Sequence, residues 1–383
     1  MKIMYVLPNL AVGGAETLVV SHLIALKSRG MDVCLFVDYK NDTVLHKRLR
    51  DNGITVICVA SQVIKSSSYG ARIVNRIIRE STISIFRRKT LLKAILAEKP
   101  NVIHFHLYTL PYIKDIPKYN ASLFYTYHSD VQRYIKIYGK KWTKNITEMS
   151  DNDLMVSFAI NHKMLSDVKR YISKKNIFYM PNSIDVNEVS RKSYSHKWLC
   201  ESLGLSENSF LIGHVGRMLP VKNQKKSIAI LKCVLEKIDN AYLLFVGDGN
   251  KKYIRLLDDY ANELGIKSHI FHLGFRVDVN EIIGALDCGI LPSIKEGFPI
   301  TVLEYQAHNI RTVTSNAVES ELLCNNNAFR LEIDDCDTVW ANYIIGTFSN
   351  DITGDIYSFD TEKIIERLLW YYNIEGKLKD ECE

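Results

Sequence analysis

The chain has 383 residues, enough for two domains that each bury a full core. Hydrophobic residues make up 47% and charged residues 24%, ordinary proportions for a soluble globular protein, and no apolar run reaches the roughly 18 residues of a spanning helix. Eight cysteines occur without a CxxC pair, and Cys34, Cys58, Cys233 and Cys288 fall in apolar patterns, as reduced core residues of a cytosolic protein would.

Residues 2–7 read as a buried first strand with no basic-then-apolar leader before it, so a cytoplasmic protein is expected. Gly13-Gly14-Ala15-Glu16 then opens a helix through residue 23. Paired glycines at a strand-to-helix turn let backbone amides approach an anion, although such a pair alone is more often just a turn. The third glycine of a dinucleotide fingerprint is missing, which disfavours a nicotinamide dehydrogenase. Strands are expected at 32–37, 54–59 and 100–106, and a helix ends at 91–96. Alternating strands and helices imply a parallel sheet with helices on both faces, which gathers ligands at the strand carboxyl ends.

The net charge of +6 is unevenly placed. Between Gln62 and Pro100, Lys65, Arg72, Arg76, Arg79, Arg87, Arg88, Lys89, Lys93 and Lys99 face only Glu80 and Glu98. With Ile73, Val74, Ile77 and Ile78 interleaved, this stretch reads either as a basic amphipathic helix on an anionic membrane surface or as a solvated helix face. No aromatic-interleaved basic motif accompanies it, so nucleic acid is not an expected partner.

His104 and His106 share one face of their strand by its period of two. No third ligand presents itself, so no metal site is expected there. Residues 123–130 form another strand, with His128 near its end. Pro181-Asn182-Ser183-Ile184-Asp185 closes the first series. The polar residues that follow, to about Asn208, read as a linker. The expected domains are therefore 1–186 and 209–358, joined by a linker at 187–208 and followed by a closing helix within 359–383.

The second series opens with a strand at 210–217, and Arg217 and Lys222 sit in the loop after it. Arg217 offers a planar two-pronged grip on phosphate oxygens and Lys222 a mobile point charge. Strands follow at 241–249 and 269–274, the latter leading to Phe275 and Arg276. The apolar run 285–291 ends at Pro292. Gly297 then lies in a polar turn, and Pro299 sits where a first helical residue should be. The free amides of that helix end favour a phosphate or sugar oxygen. Glu296 lies before the turn and Glu304 inside the helix, with seven residues between them. A short strand is expected at 311–315, and no internal repeat occurs.

This glutamate pair, within the run EGFPITVLEYQA, resembles the signature of the retaining, nucleotide-sugar-dependent glycosyltransferases of family 4, especially the branch that builds bacterial exopolysaccharide, capsule and O-antigen. The GGAE turn, the VIHFH strand, the PNSID exit (Ser183 replacing the family's glycine) and the Gly216-Arg217 to Lys222-Asn223 loop resemble the same family. The resemblance implies a GT-B architecture, two Rossmann-like domains facing a deep cleft, with C-terminal helices crossing back to the first. It implies that Glu296 faces the donor sugar hydroxyls and Glu304 holds the ribose hydroxyls. Arg217, Lys222 and the Gly14 amide would neutralise the diphosphate, and His128 would lie near donor sugar and acceptor. The backbone at Phe275 and Arg276 would meet the nucleobase. Gly297, Phe298, Pro299, Ile300 and Thr301 would line the donor at the helix N-terminus.

The activity so implied is metal-independent, retaining hexosyl transfer in which the leaving phosphate accepts the acceptor's proton, with Glu296, His128, Arg217 and Lys222 in catalytic roles, Glu296 as a sugar clamp with a nucleophilic role left open. No cofactor is implied. A nucleotide-diphosphate sugar, UDP-linked as the first candidate, is co-substrate, and the acceptor is a saccharide or a lipid-diphosphate-linked saccharide at the inner membrane face. Two alternatives stand beside it: an epimerase or hydrolase on the same fold, and a non-catalytic nucleotide-sugar-binding subunit.

Overall fold

A computed structural model describes residues 1–11, 13–39, 43–60, 88–107, 116, 120–191, 193–352 and 354–380. Most of the basic stretch, residues 61–87, lies outside them. The chain forms two compact units, Met1–Asn182 with Thr361–Glu383, and Ser183–Asp360.

In the first unit the strands are β1 (Lys2–Asn9), β2 (Asp32–Tyr39), β3 (Thr55–Ala60), β4 (Val102–His106), β5 (Ser122–Tyr127), β6 (Val156–Ala159) and β7 (Ile177–Tyr179). They pair in parallel in the order β3-β2-β1-β4-β5-β6-β7. Helices α1 (Gly14–Ser28), α2 (Val44–Asp51), α3 (88–98), α4 (Val131–Asp151) and α5 (His162–Tyr171) alternate with them. The order reverses between β1 and β4, so the loops after these strands part there, which is where open parallel sheets bind ligands. The strands are nearly continuous apolar runs because helices cover both faces.

In the second unit two short helices come first, α6 (Val186–Arg191) and α7 (His196–Ser202). The stretch expected as an irregular linker is thus structured, and Leu199 and Cys200 lie in the core. Strands β8 (Phe210–Val215), β9 (Ala241–Val246), β10 (Ile270–Gly274), β11 (Cys288–Leu291), β12 (Arg311–Ser315) and β13 (Ala328–Leu331) pair in parallel in the order β10-β9-β8-β11-β12-β13. Helices α8 (Gln224–Leu235), α9 (Lys251–Glu263), α10 (Val279–Ile283), α11 (Ile300–Ala307) and α12 (Asp337–Ile345) complete the unit. Alternate residues of each strand serve opposite faces. Ile212, Leu243 and Phe245 enter one apolar cluster, while Leu211, Val215, Leu244 and Val246 enter the other.

The last helix, α13 (Thr361–Asp380), belongs to the first unit. Ile364, Ile365, Leu368 and Tyr372 join the core that holds Val19, Leu23 and Leu26 of α1. A buried polar chain fastens it: Tyr372 Oη lies 3.1 Å from Tyr5 Oη and 2.6 Å from His104 Nδ1, and His104 Nε2 lies 2.7 Å from Thr126 Oγ1. Each member of that chain has a hydrogen-bond partner within it, so burial of Tyr5, His104 and Tyr372 leaves none of these polar ends orphaned.

Candidate functional site

The reversal in the second sheet falls between β8 and β11, and the loops leaving these strands carry Arg217, Lys222 and Glu296. The two strands keep register only at Ile212 with Cys288 and Gly213 with Gly289, then fork. Tyr305, from α11, fills the fork. Its hydroxyl accepts from the Val215 amide at 2.9 Å and donates to the Gly213 carbonyl at 3.1 Å, replacing the ladder bonds the strands no longer share. Gly289 is required beneath it, since a Cβ there would meet the tyrosine ring at 2.5 Å. Tyr305→Phe strips both buried backbone groups of a partner, an expected loss of roughly 1–3 kcal/mol that urea unfolding would measure.

Backbone hydrogen bonds tie the neighbouring loops together. Ile294 donates to the Val221 carbonyl at 2.8 Å, Met218 to Asp248 at 2.8 Å, and Gly247 to Gly274 at 2.8 Å. On this frame the Lys222 ammonium donates to both oxygens of Glu296, at 2.7 and 2.9 Å. The Glu296 side chain is only 8% exposed, so its charge is closely matched with that of Lys222. Arg217 is exposed on the same loop, and its guanidinium has no partner among the described residues. Its carbonyl accepts from Gln224 Nε2 at 3.1 Å, which fixes the backbone that carries it.

Pro299 is the N-cap of α11 and Ile300 its first residue, one position later than expected. Proline offers no capping side chain, so the amides of Ile300 and Thr301 point out of the helix end without an intrachain acceptor among the described residues. Gly297 lies in the half-buried turn before them. Phe298 is 7% exposed and packs edge-on against Phe359 with ring centroids 5.9 Å apart, so its ring serves the core.

Glu304 is half-buried one turn into α11, and burial raises its carboxyl pKa from 4.5 to about 7. A folded-state pKa above the unfolded value means that the native state binds more protons between these limits. Stability conferred by the neutral carboxyl is therefore full below pH 4.5 and is lost as pH rises towards about 7. Glu304→Gln should flatten that decline, measured as Tm against pH for both proteins.

Phe275 is 50% exposed after the left-handed turn at Gly274. Arg276 is engaged by Asp278, at 2.8 and 2.6 Å, and this pairing holds the Asp278 carboxyl down at about 2. Of Arg217 and Arg276, Arg217 is the one without a side-chain partner among the described residues.

Gly14 and His128 belong to the first unit. Gly14 is the exposed first residue of α1, with Gly13 as an N-cap that provides no side-chain bond. His128 follows β5, and its Nε2 lies 3.0 Å from Nδ1 of His106. Burial pushes the His128 pKa down to about 3 and holds His104 and His106 well below the ordinary histidine value. The tie from His106 to His128 is absent from the sequence reading. The β4–β5 register, with His106 opposite Thr126, is the signal that could have found it.

Two family models match the chain: "Glycosyltransferase Family 4" over residues 12–188 and "Glycosyl transferases group 1" over residues 199–331. A UDP-Gal:alpha-D-GlcNAc-diphosphoundecaprenol alpha-1,3-galactosyltransferase of Escherichia coli is 27% identical over 216 residues, 54% of this chain and 52% of that protein. The O-antigen biosynthesis glycosyltransferase WclY of Escherichia coli is 26% identical over 145 residues, 38% of each chain. The matched part spans about half or less of these relatives' length. Among solved structures, Anabaena HepE in complex with UDP superposes with a TM-score of 0.75 at 18% identity, covering 97% of this chain and 100% of that one. That likeness establishes the shared GT-B fold of two Rossmann-like units.

Proposed function

Since this chain belongs to the glycosyltransferases, with a family 4 match in its first half and a group 1 match in its second, we propose that it transfers a hexosyl unit, with retention of configuration, from a UDP-sugar to a saccharide or lipid-diphosphate-linked acceptor in the synthesis of a bacterial surface polysaccharide. The observation that carries this reading is the paired Lys222 and Glu296, with unpaired Arg217 beside them, at the switch point of the second sheet. The E. coli relative that uses UDP-galactose and a diphosphoundecaprenol acceptor supports the donor and acceptor classes, and the UDP complex of HepE supports the nucleotide.

Transfer breaks the bond from the anomeric carbon to the diphosphate, and negative charge grows on the leaving phosphate. Arg217, Lys222 and the α11 amides supply fixed positive potential for it, in the role a metal takes in other transferases. Glu296 accepts hydrogen bonds from sugar hydroxyls while Lys222 keeps its charge matched. Glu304 accepts from the ribose hydroxyls, an interaction that strengthens as its carboxyl ionises near pH 7. Attack from the face the phosphate leaves retains configuration, and the acceptor's proton passes to the phosphate oxygen. A thermal shift with UDP, GDP and ADP tests the donor site. UDP should raise the Tm of the native protein, and Arg217→Ala should abolish the rise. An equal rise in both would refute this assignment of Arg217.

Peripheral contact with an anionic membrane is part of the proposal. Among the described residues no helix is long and apolar enough to cross a membrane. Segment α4 is two helical pieces that meet at a kink at Gly139, φ 74°; the first exposes Arg133, Lys136, Ile137 at 56% and Tyr138 at 39%, and the second exposes Lys140 and Lys141. Charge reversal at Lys136, Lys140 and Lys141 should abolish co-sedimentation with phosphatidylglycerol vesicles at low salt, and unchanged binding would count against this helix.

A further inference from the structure

A cleft of about 500 Å³ opens on the second unit, within the size range of small-molecule sites. It is lined by Asn309, Asn325, Asn326, Asn350, Asp351 and Ile352, which come from three separate stretches of chain. Asn309 lies in the turn before β12, Asn325 and Asn326 lie before β13, and residues 350–352 follow α12. The first two stretches feed the amino ends of their strands, whereas Arg217, Lys222 and Glu296 follow the carboxyl ends of β8 and β11 in the same parallel sheet. The cleft therefore sits at the sheet edge opposite the proposed donor site.

Hydrogen bonds hold the three stretches in place. Asn325 Nδ2 donates to the Gln306 carbonyl at 2.9 Å, Asn327 Nδ2 to the Asn309 carbonyl at 3.0 Å, and the Asn350 amide to the Asn326 carbonyl at 2.9 Å. The Asn350 side chain is committed at both ends, its Nδ2 to the Ala328 carbonyl and its Oδ1 to the Ile352 amide. The side chains of Asn309, Asn326 and Asp351 are exposed and make no hydrogen bond among the described residues. Two amide heads and one carboxylate are thus free to face a ligand from a fixed frame.

An amide head both donates and accepts, and a carboxylate only accepts. A hydroxyl also does both, so neighbouring hydroxyls on one ligand satisfy two amides and a carboxylate together. No lysine or arginine lines the cleft, and Arg311, two residues beyond Asn309, directs its guanidinium to the carbonyls of Tyr343 and Phe348. A phosphate has no cation to meet there. A single carboxylate in so wide a cleft makes a poor cage for a metal ion. Ile352 is the one apolar residue among the six, too little for an apolar ligand. We propose that this cleft is a second saccharide site, separate from the donor site, that grips the hydroxyls of a neutral sugar through Asn309, Asn326 and Asp351. The choice of a sugar over another neutral polar ligand rests on the proposed reading, in which saccharides are the acceptors. Such a site would keep a long acceptor on the enzyme between transfers.

The test is a titration of the full chain, labelled with ¹⁵N-asparagine, with galactose, glucose and N-acetylglucosamine. It is read from the side-chain amide signals, assigned with Asn309→Ser and Asn326→Ser. The signals of Asn309 and Asn326 should shift saturably with at least one sugar, whether or not UDP is present at saturation. Asp351→Ala, with a native Tm, should weaken that binding roughly tenfold. Signals unmoved by all three sugars overturn the proposal. So do shifts that UDP abolishes, that inorganic phosphate or a trialanine peptide reproduces, or that Asp351→Ala leaves unaltered. Shifts in a protein that transfers no sugar would uphold this site and refute the transferase reading, and transfer without shifts would do the reverse.

Discussion

Lys222→Met should lower kcat for the proposed glycosyl transfer by roughly 10²–10³-fold, the usual consequence of deleting one preorganised charge at a reacting centre. The substitution acts twice. It removes a cation from the loop after β8, where the proposed reading places the leaving phosphate, and it leaves the Glu296 carboxylate, 8% exposed, without its partner at 2.7 Å. Because the two groups act as a unit, Glu296→Gln added to Lys222→Met should cost little more than Lys222→Met alone. Steady-state kcat and KM for the two single variants and the double variant check this. Additive losses would show that the ion pair is incidental to the chemistry.

Gly247→Ala destabilises the second unit by roughly 3–5 kcal/mol and lowers its Tm on the order of 10 °C. Gly247 has φ +141°, and a Cβ there would stand 2.2 Å from the Gly216 carbonyl oxygen and 2.7 Å from its carbon. These are backbone atoms, held by the Gly216 amide bond to Val246 at 2.8 Å, so they cannot swing aside. The displaced segment leads directly into Arg217, so donor binding should fall with stability. Gly265→Ala is the control. Its φ of +70° carries the same kind of backbone strain, but no atom lies within 4 Å, and it should cost only about 1 kcal/mol. Thermal unfolding of the two variants separates close approach from strain.

Much of this architecture is legible in the chain because parallel strands buried on both faces are written as apolar runs. β1, β2, β8, β9 and β12 begin where their runs begin. β6 and β13 escape notice because each is only four residues long and, unlike β11, is broken by a polar residue. The stretch 187–208 reads as a linker because α6 and α7 bury little beyond Val186, Val189, Leu199 and Cys200, and their polar residues dominate the composition. The membrane reading of the basic stretch falls largely on residues 61–87, outside the described ones.

The candidate site divides in the same way. The loop placement of Arg217, Lys222 and Glu296 after β8 and β11 is visible from the sequence, because the strands before them read as apolar runs with clear ends. What sequence hides is contact between distant segments. The burial of Glu304, the insertion of Tyr305 between forking strands, the approach of Gly247 to Gly216 and the tie from His106 to His128 all depend on which strand lies beside which. Phe298 shows the converse. Its place in the motif suggests a ligand contact, yet its ring packs on Phe359.

The central claim is transfer from a nucleotide sugar, and the most direct measurement is mass-spectrometric turnover of a panel of nucleotide sugars, with and without a lipid-linked acceptor extract. Free UDP should appear together with an acceptor heavier by one hexosyl unit, and both should be lost in Glu296→Ala. Donor consumption that ignores the acceptor, or Glu296→Ala with native turnover, would contradict it.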